Sequence, residues 1–296
     1  MFIKSYTKIK RCFKYLLQRR GLPSINYPFL KDLILQETPV YYVFDTKTKS
    51  NEVMELEKIR ENLQKNLFAF TTIISFELSN ICNYSIFHKK CPAYSQKEKV
   101  VLPLKSIFKA LEHMTDYNKT IQFSCYNEPL IDPRLFFLIN YTKTKVPNCE
   151  ILLQTNGYYL NQTIADELID VGVDFISCTA YTKGERSRLK TIKISKPFII
   201  NRANLDNRLK MYNNEDEGKY LNIPCNAPYN ALTIRCNGNV GLCCYDSKNC
   251  YTFGNIINSD LPEILLSEQM IKTYYDLMNG IRNRNFCKNC GYSSME

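Results

Sequence analysis

No apolar run in this 296-residue sequence approaches the length of a membrane-spanning helix; Phe68 to Phe76 and Phe198 to Ile200 are far too short. The start, Met-Phe-Ile-Lys-Ser-Tyr, lacks an apolar stretch followed by a small-residue cleavage site, so the expectation is a cytoplasmic protein without a secretory signal. There is no internal repeat, no low-complexity linker and no nucleic-acid-binding motif, and no nucleic-acid partner is expected. What the chain does have is 45% hydrophobic and 23% charged residues, the composition of a globular protein with a substantial core.

The formal net charge is +10, and much of it sits in the first twenty residues, at Lys4, Lys8, Lys10, Arg11, Lys14, Arg19 and Arg20. Phe2, Ile3, Tyr6, Ile9, Phe13, Leu16 and Leu17 interleave with them at near-helical spacing. Such a helix either packs its apolar stripe on the body of the protein or makes a peripheral contact with an anionic membrane surface.

Thirteen cysteines are the strongest compositional feature. Disulfide frameworks belong to short secreted domains, so an odd number of cysteines in a long chain of this kind points to metal ligation. Lone cysteines such as Cys12, Cys149 and Cys178 need no such role, since free cysteine behaves as a small buried hydrophobe.

Three regions follow from the patterning: an N-terminal extension over 1–70 with a helix from Asn51 to Leu67, a β/α core over 71–222, and a C-terminal extension over 223–296. In the core, strands are predicted at Thr71–Leu78, Thr120–Ser124, Glu150–Gln154, Asp174–Cys178 and Lys196–Asn201. Helices are predicted at Pro103–Met114, Arg134–Thr144 and Thr163–Val171. That alternation argues for an α/β fold with a parallel sheet or partial barrel and its site at the strands' C-terminal ends. From Ala231 to Cys243 a β-hairpin turns about Asn237-Gly238-Asn239, followed by a helix over Leu261–Leu277.

In the extension, Cys225, Cys243 and the pair Cys287-Lys-Asn-Cys290 supply four thiolates. Spacing alone suits either a [4Fe–4S] cluster or a tetrahedral zinc. The run Asn237-Gly238-Asn239-Val240-Gly241-Leu242-Cys243-Cys244-Tyr245-Asp246, then Phe253-Gly254-Asn255-Ile256 and Leu261-Pro262-Glu263-Ile264, resembles the twitch or SPASM-type extension of radical S-adenosylmethionine enzymes. The resemblance implies that Cys225, Cys243, Cys287 and Cys290 hold an auxiliary [4Fe–4S] cluster. Cys236 and Cys250 have no assignment in it.

The resemblance extends over residues 70 to 292 and implies a partial (β/α)6 barrel carrying the iron–sulfur extension. Phe76-Glu77-Leu78-Ser79-Asn80-Ile81-Cys82-Asn83 stands where the family's CxxxCxxC motif begins after the first strand, and Cys91 is the second match. Eight residues separate Cys82 from Cys91 instead of three, and the third ligand position falls on Tyr94. Candidates to replace it are His88 and Cys125, with Ser95 a weaker one. Cys125-Tyr126-Asn127-Glu128-Pro129 resembles the family's Gly-Gly-Glu-Pro segment, which implies that Glu128 and Asn127 bind S-adenosyl-L-methionine. Thr155-Asn156-Gly157 resembles the segment after the third strand and adds Asn156 to that set.

By resemblance the activity is generation of a 5′-deoxyadenosyl radical to modify or oxidise a small-molecule or peptide substrate, with an electron donor as partner. Two alternatives compete: a non-catalytic protein of the same fold that keeps only the auxiliary cluster, and a zinc-binding structural protein. The iron–sulfur reading predicts that anaerobically purified protein is brown and contains iron and sulfide. It also predicts that Cys287→Ala and Cys290→Ala each release metal and lower the thermal midpoint, because ligation helps to fold the ligating segments. Stoichiometric zinc in a colourless protein would decide for the structural alternative.

Overall fold

The computed structural model describes residues 49–86, 91, 93, 98–203, 222–247, 249–288 and 290. The basic N-terminal segment, His88, Tyr94 and Ser95 lie outside the described residues. Among the described residues no helix is long and apolar enough to cross a membrane.

One mixed sheet organises the chain. Its strands are β1 (Ile73–Phe76), β2 (Thr120–Gln122), β3 (Glu150–Thr155), β4 (Phe175–Ala180), β5 (Phe198–Arg202), β6 (Ala231–Ile234), β7 (Asn239–Gly241) and β8 (Thr252–Asn255). The spatial order is β5-β4-β3-β2-β1-β6-β7-β8. Pairings from β5 through β1 to β6 are parallel, and β6-β7-β8 are antiparallel. Helices α1 (Lys49–Lys65), α2 (Leu104–Glu112), α3 (Leu135–Lys145), α4 (Gln162–Asp170) and α5 (Lys183–Leu189) accompany the parallel part. The extension adds α6 (Ala227–Asn230), α7 (Leu261–Leu265), α8 (Glu268–Met278) and α9 (Asn285–Lys288).

Sequence and position in the sheet agree. β1 (Ile-Ile-Ser-Phe) and β6 (Ala-Leu-Thr-Ile) each have three consecutive buried residues, as central strands covered on both faces require. β4 alternates buried and half-buried residues, and β5 at the edge has no fully buried residue. α2 turns Ser106, Ile107, Ala110 and Leu111 inward, a stripe at helical spacing. Asn161 caps α4 by accepting from the Ile164 amide at 2.9 Å, and Thr182 with Glu185 forms a reciprocal capping box on α5.

The predicted strands and core helices are present, with ends shifted by a few residues. Two features differ in the extension. The hairpin is not a separate appendage: β6 pairs with β1 in register Ile73↔Ala231 through Phe76↔Ile234, and β8 adds a third antiparallel strand. The helix expected over Leu261–Leu277 is two helices, because Ser267 ends α7 and caps α8 by accepting from the Met270 amide at 3.2 Å.

α1 packs against α8, where Lys272 Nζ lies 2.7 Å from Glu52 Oε1 and Arg60 pairs with Glu268. Phe70, Tyr229 and Tyr274 meet edge to face beneath them, with centroids 5.6 to 6.4 Å apart. The hairpin turn depends on Gly238, at φ 85°, where an added Cβ would lie 2.6 Å from Asn255 Oδ1 and 2.7 Å from Ile257 Cγ1. Gly238→Ala is therefore expected to cost about 1–3 kcal/mol, read as a lower thermal midpoint, whereas Ala at exposed Ile257 should leave the midpoint within the normal range of surface substitutions.

Candidate active site and cysteine cluster

Because β1 to β6 run the same way, the segments after β1, β2, β3, β4 and β6 emerge at one edge of the sheet. Ligands of open α/β sheets bind at that edge. Glu128, 2% exposed, lies at its centre. Its amide donates to the Ile81 carbonyl at 2.9 Å, tying the segment after β2 to the one after β1. Its Oε1 accepts from the Thr155 hydroxyl at 2.6 Å and the Leu130 amide at 3.1 Å, and its Oε2 accepts from the Asn156 amide at 2.7 Å. Burial pushes the Glu128 pKa up, while these three donors oppose the shift. A carboxylate oxygen accepts up to two hydrogen bonds, so Oε2 keeps room for one more donor.

Asn156 extends this knot to the first cysteine. Its Nδ2 donates to Asn83 Oδ1 at 2.7 Å and approaches Cys82 Sγ at 3.9 Å, and its Oδ1 accepts from the Tyr158 amide. Gly157, at φ 72°, lets the chain turn away here; a Cβ would stand 2.9 Å from Leu189 Cδ1. The Cys82 pKa is pushed up to about 12, first by burial and then by the charges of Glu128 and Cys91. Cys82, Cys91, Glu128 and Asn156 are thus near neighbours. Asn127 behaves differently: its Oδ1 accepts from the Cys125 amide and its Nδ2 donates to the Phe123 carbonyl, so its amide shapes its own loop.

Tyr84, two residues after Cys82, anchors the start of the long segment leading to Cys91. Its ring stacks on Tyr181 with centroids 4.4 Å apart, and its hydroxyl bonds Glu185 of the α5 capping box.

Cys125 lies in a second knot. Glu77 and Arg235, 2% and 7% exposed, end β1 and β6 and form an ion pair with Nε 3.2 Å from Oε2. Glu77 also accepts from the Tyr126 amide at 3.2 Å and the Cys236 amide at 3.1 Å. The guanidinium covers the Tyr126 ring at 4.6 Å and lies 3.3 Å from Cys125 Sγ. Burial opposes the Arg235 charge, but Cys125, Glu77 and Tyr126 together hold its pKa above the ordinary value.

In the extension, Cys225, Cys243, Cys287 and Cys290 are all buried. Burial dominates the raised pKa of Cys225, Cys243 and Cys287; Cys287 reaches about 12. Their mutual charges add to it: Cys225 senses Cys290, Cys243 senses Cys225, and Cys287 senses Cys225 and Cys290. Arg282, 2% exposed, clamps the set by donating to the carbonyls of Ile223 at 2.9 Å and Cys290 at 3.3 Å. Among the described residues no three histidine, cysteine or carboxylate side chains close on one point as ligands of a single ion do. A [4Fe–4S] cubane needs a wider set, since each thiolate binds a different iron. Four buried neighbouring thiols, with amides of Tyr245 and Asp246 aimed at Cys243, fit that group chemically.

Residues 225–291 match the SPASM model, an iron–sulfur cluster-binding domain. The chain carries a SPASM iron–sulfur domain joined to a parallel-stranded α/β core. Over 239 residues it is 23% identical to the S-adenosyl-L-methionine-dependent 2-deoxy-scyllo-inosamine dehydrogenase of Niallia circulans, covering 76% of this chain and 94% of that protein. Its fold is similar to BtrN in complex with AdoMet and 2-DOIA, with a TM-score of 0.64 at 22% identity over 75% of this chain and 93% of that one. BtrN in an open conformation gives a TM-score of 0.60 at 19% identity over 75% and 92%.

The SPASM domain enters the sheet through β6, which is why Arg235 reaches the barrel rim. The sequence resemblance carries no role for Glu77, Tyr126, Arg235 or Arg282. A charged residue closing each of two buried apolar strands was the available signal for the first ion pair. Glu128→Gln keeps the size of the side chain and removes its charge. It is expected to weaken S-adenosyl-L-methionine binding by about 1.5–3 kcal/mol, measured by calorimetry, with the iron of the SPASM domain unchanged.

Proposed function

We propose that this chain is a radical S-adenosylmethionine enzyme that oxidises a small-molecule substrate. The reading rests on one observation above all: Glu128, Asn156 and Cys82, with Cys91 beside it, gather at the C-terminal edge of the parallel strands. The dehydrogenase activity named for the Niallia circulans relative favours oxidation over other modifications.

In this reading the barrel of residues 71–222 carries the radical chemistry, 223–296 the auxiliary cluster, and 1–70 an N-terminal extension. Cys82 and Cys91 would hold a central [4Fe–4S] cluster, and Cys225, Cys243, Cys287 and Cys290 the auxiliary one. With S-adenosyl-L-methionine bound, this set supplies a 5′-deoxyadenosyl radical for hydrogen abstraction and a second cluster to take the electron of the product radical. Glu128, whose Oε2 keeps one acceptor position beside the Asn156 amide, would hold the ammonium of the cofactor. Asn156 sets the Cys82 side chain through its amide. Asn127 contributes by holding the loop rather than by direct contact. An external electron donor completes the set of partners.

The non-catalytic reading has one observation in its favour. Cys125, the thiol candidate for the missing third ligand, faces Arg235. Cofactor cleavage separates the two. After anaerobic reconstitution and dithionite reduction, the wild type is expected to form 5′-deoxyadenosine, and Cys82→Ala to form none. A protein with full auxiliary iron that yields no 5′-deoxyadenosine would establish the non-catalytic reading instead.

A further inference from the structure

Tyr126 occupies the loop that carries Glu128, yet its hydroxyl leaves the barrel and donates to the Cys244 carbonyl. That carbonyl belongs to the peptide unit whose other end is the Tyr245 amide, and the Tyr245 amide is aimed at the Cys243 sulfur. The three groups form a continuous chain: hydroxyl to carbonyl, then amide to sulfur through the same peptide. A peptide polarised at its oxygen donates more strongly at its N–H, because hydrogen bonds in series reinforce one another at low dielectric. Hydrogen bonds to cluster sulfurs stabilise the reduced, more negative state and so set the reduction potential.

The hydroxyl is not free to wander. The Tyr126 amide donates to Glu77 Oε1 at 3.2 Å, and its ring carries the Arg235 guanidinium at 4.6 Å. Arg235 is in turn fixed by Glu77 Oε2 at 3.2 Å. Both ends of the tyrosine are thereby held by a buried ion pair rooted in β1 and β6, the two strands that join barrel and SPASM domain.

We infer that Tyr126 is a positioning residue that raises the reduction potential of the auxiliary cluster, acting from the barrel rim through the Cys244–Tyr245 peptide. The inference rests on Cys243 being a ligand of that cluster. Its consequence is that the loop bearing Glu128 also bears the group that tunes the electron acceptor.

The test is a redox titration followed by electron paramagnetic resonance on the full-length, anaerobically reconstituted protein. A Cys82→Ala background leaves the auxiliary signal alone in the spectrum. Tyr126→Phe keeps the ring under Arg235 and removes only the donor; it should retain the iron content and shift the potential to more negative values. Replacement of Tyr126 by 3-fluorotyrosine, a stronger donor, should shift it to more positive values. If Tyr126→Phe fails to load iron, the fluorinated protein alone decides. Coincident potentials in the variants that load iron would overturn the inference while leaving the cluster intact. Absence of iron from the Cys82→Ala parent would overturn the cluster reading itself, and the inference with it.

Discussion

Glu77 and Arg235 form an ion pair shut off from water at the C-terminal ends of β1 and β6. Two desolvated charges are tolerated only when each meets the other and its remaining hydrogen-bonding capacity is filled. Here the amides of Tyr126 and Cys236 fill the carboxylate, while the Tyr126 ring and the Cys125 sulfur border the guanidinium. Removing one partner of such a pair typically costs about 3–5 kcal/mol. The pair is therefore satisfied only when β6 lies parallel to β1 in one register, which seats the SPASM domain on the barrel.

A second consequence concerns distance along the chain. Residues 73–76 and 231–234 are far apart in sequence, yet they form adjacent central strands. α1 and α8 repeat the pattern on another surface, where Glu52 meets Lys272 and Arg60 meets Glu268. α1, the first strand and the C-terminal extension consequently share one continuous core, which includes Tyr229 and Tyr274 and has half-buried Phe70 packed against it.

Glu128 shows how one buried carboxylate serves two ends. It gathers the segments after β1, β2 and β3 through Ile81, Thr155 and Asn156. The same set of donors leaves one acceptor position on Oε2. The cost of burying the charge appears as its raised pKa, and the three donors limit that cost.

Much was legible in the sequence because it is local. Alternating apolar runs and helical stripes marked the strands and core helices, since side-chain periodicity follows backbone geometry. The Cys287-Lys-Asn-Cys290 spacing was visible as a pair of thiols, and Gly238 marked a turn that requires positive φ. Ser267 ended a helix that apolar periodicity alone would have continued, a capping signal present in the sequence but weaker than the stripe. Other features needed tertiary structure. Nothing in the order of residues says that β6 pairs with β1, because strand neighbours are chosen by the packing of the whole sheet. Nor does sequence place Cys125 beside Arg235, or Tyr126 against the Cys244 carbonyl: those contacts join segments more than a hundred residues apart, and only burial of both in one core brings them within hydrogen-bonding reach.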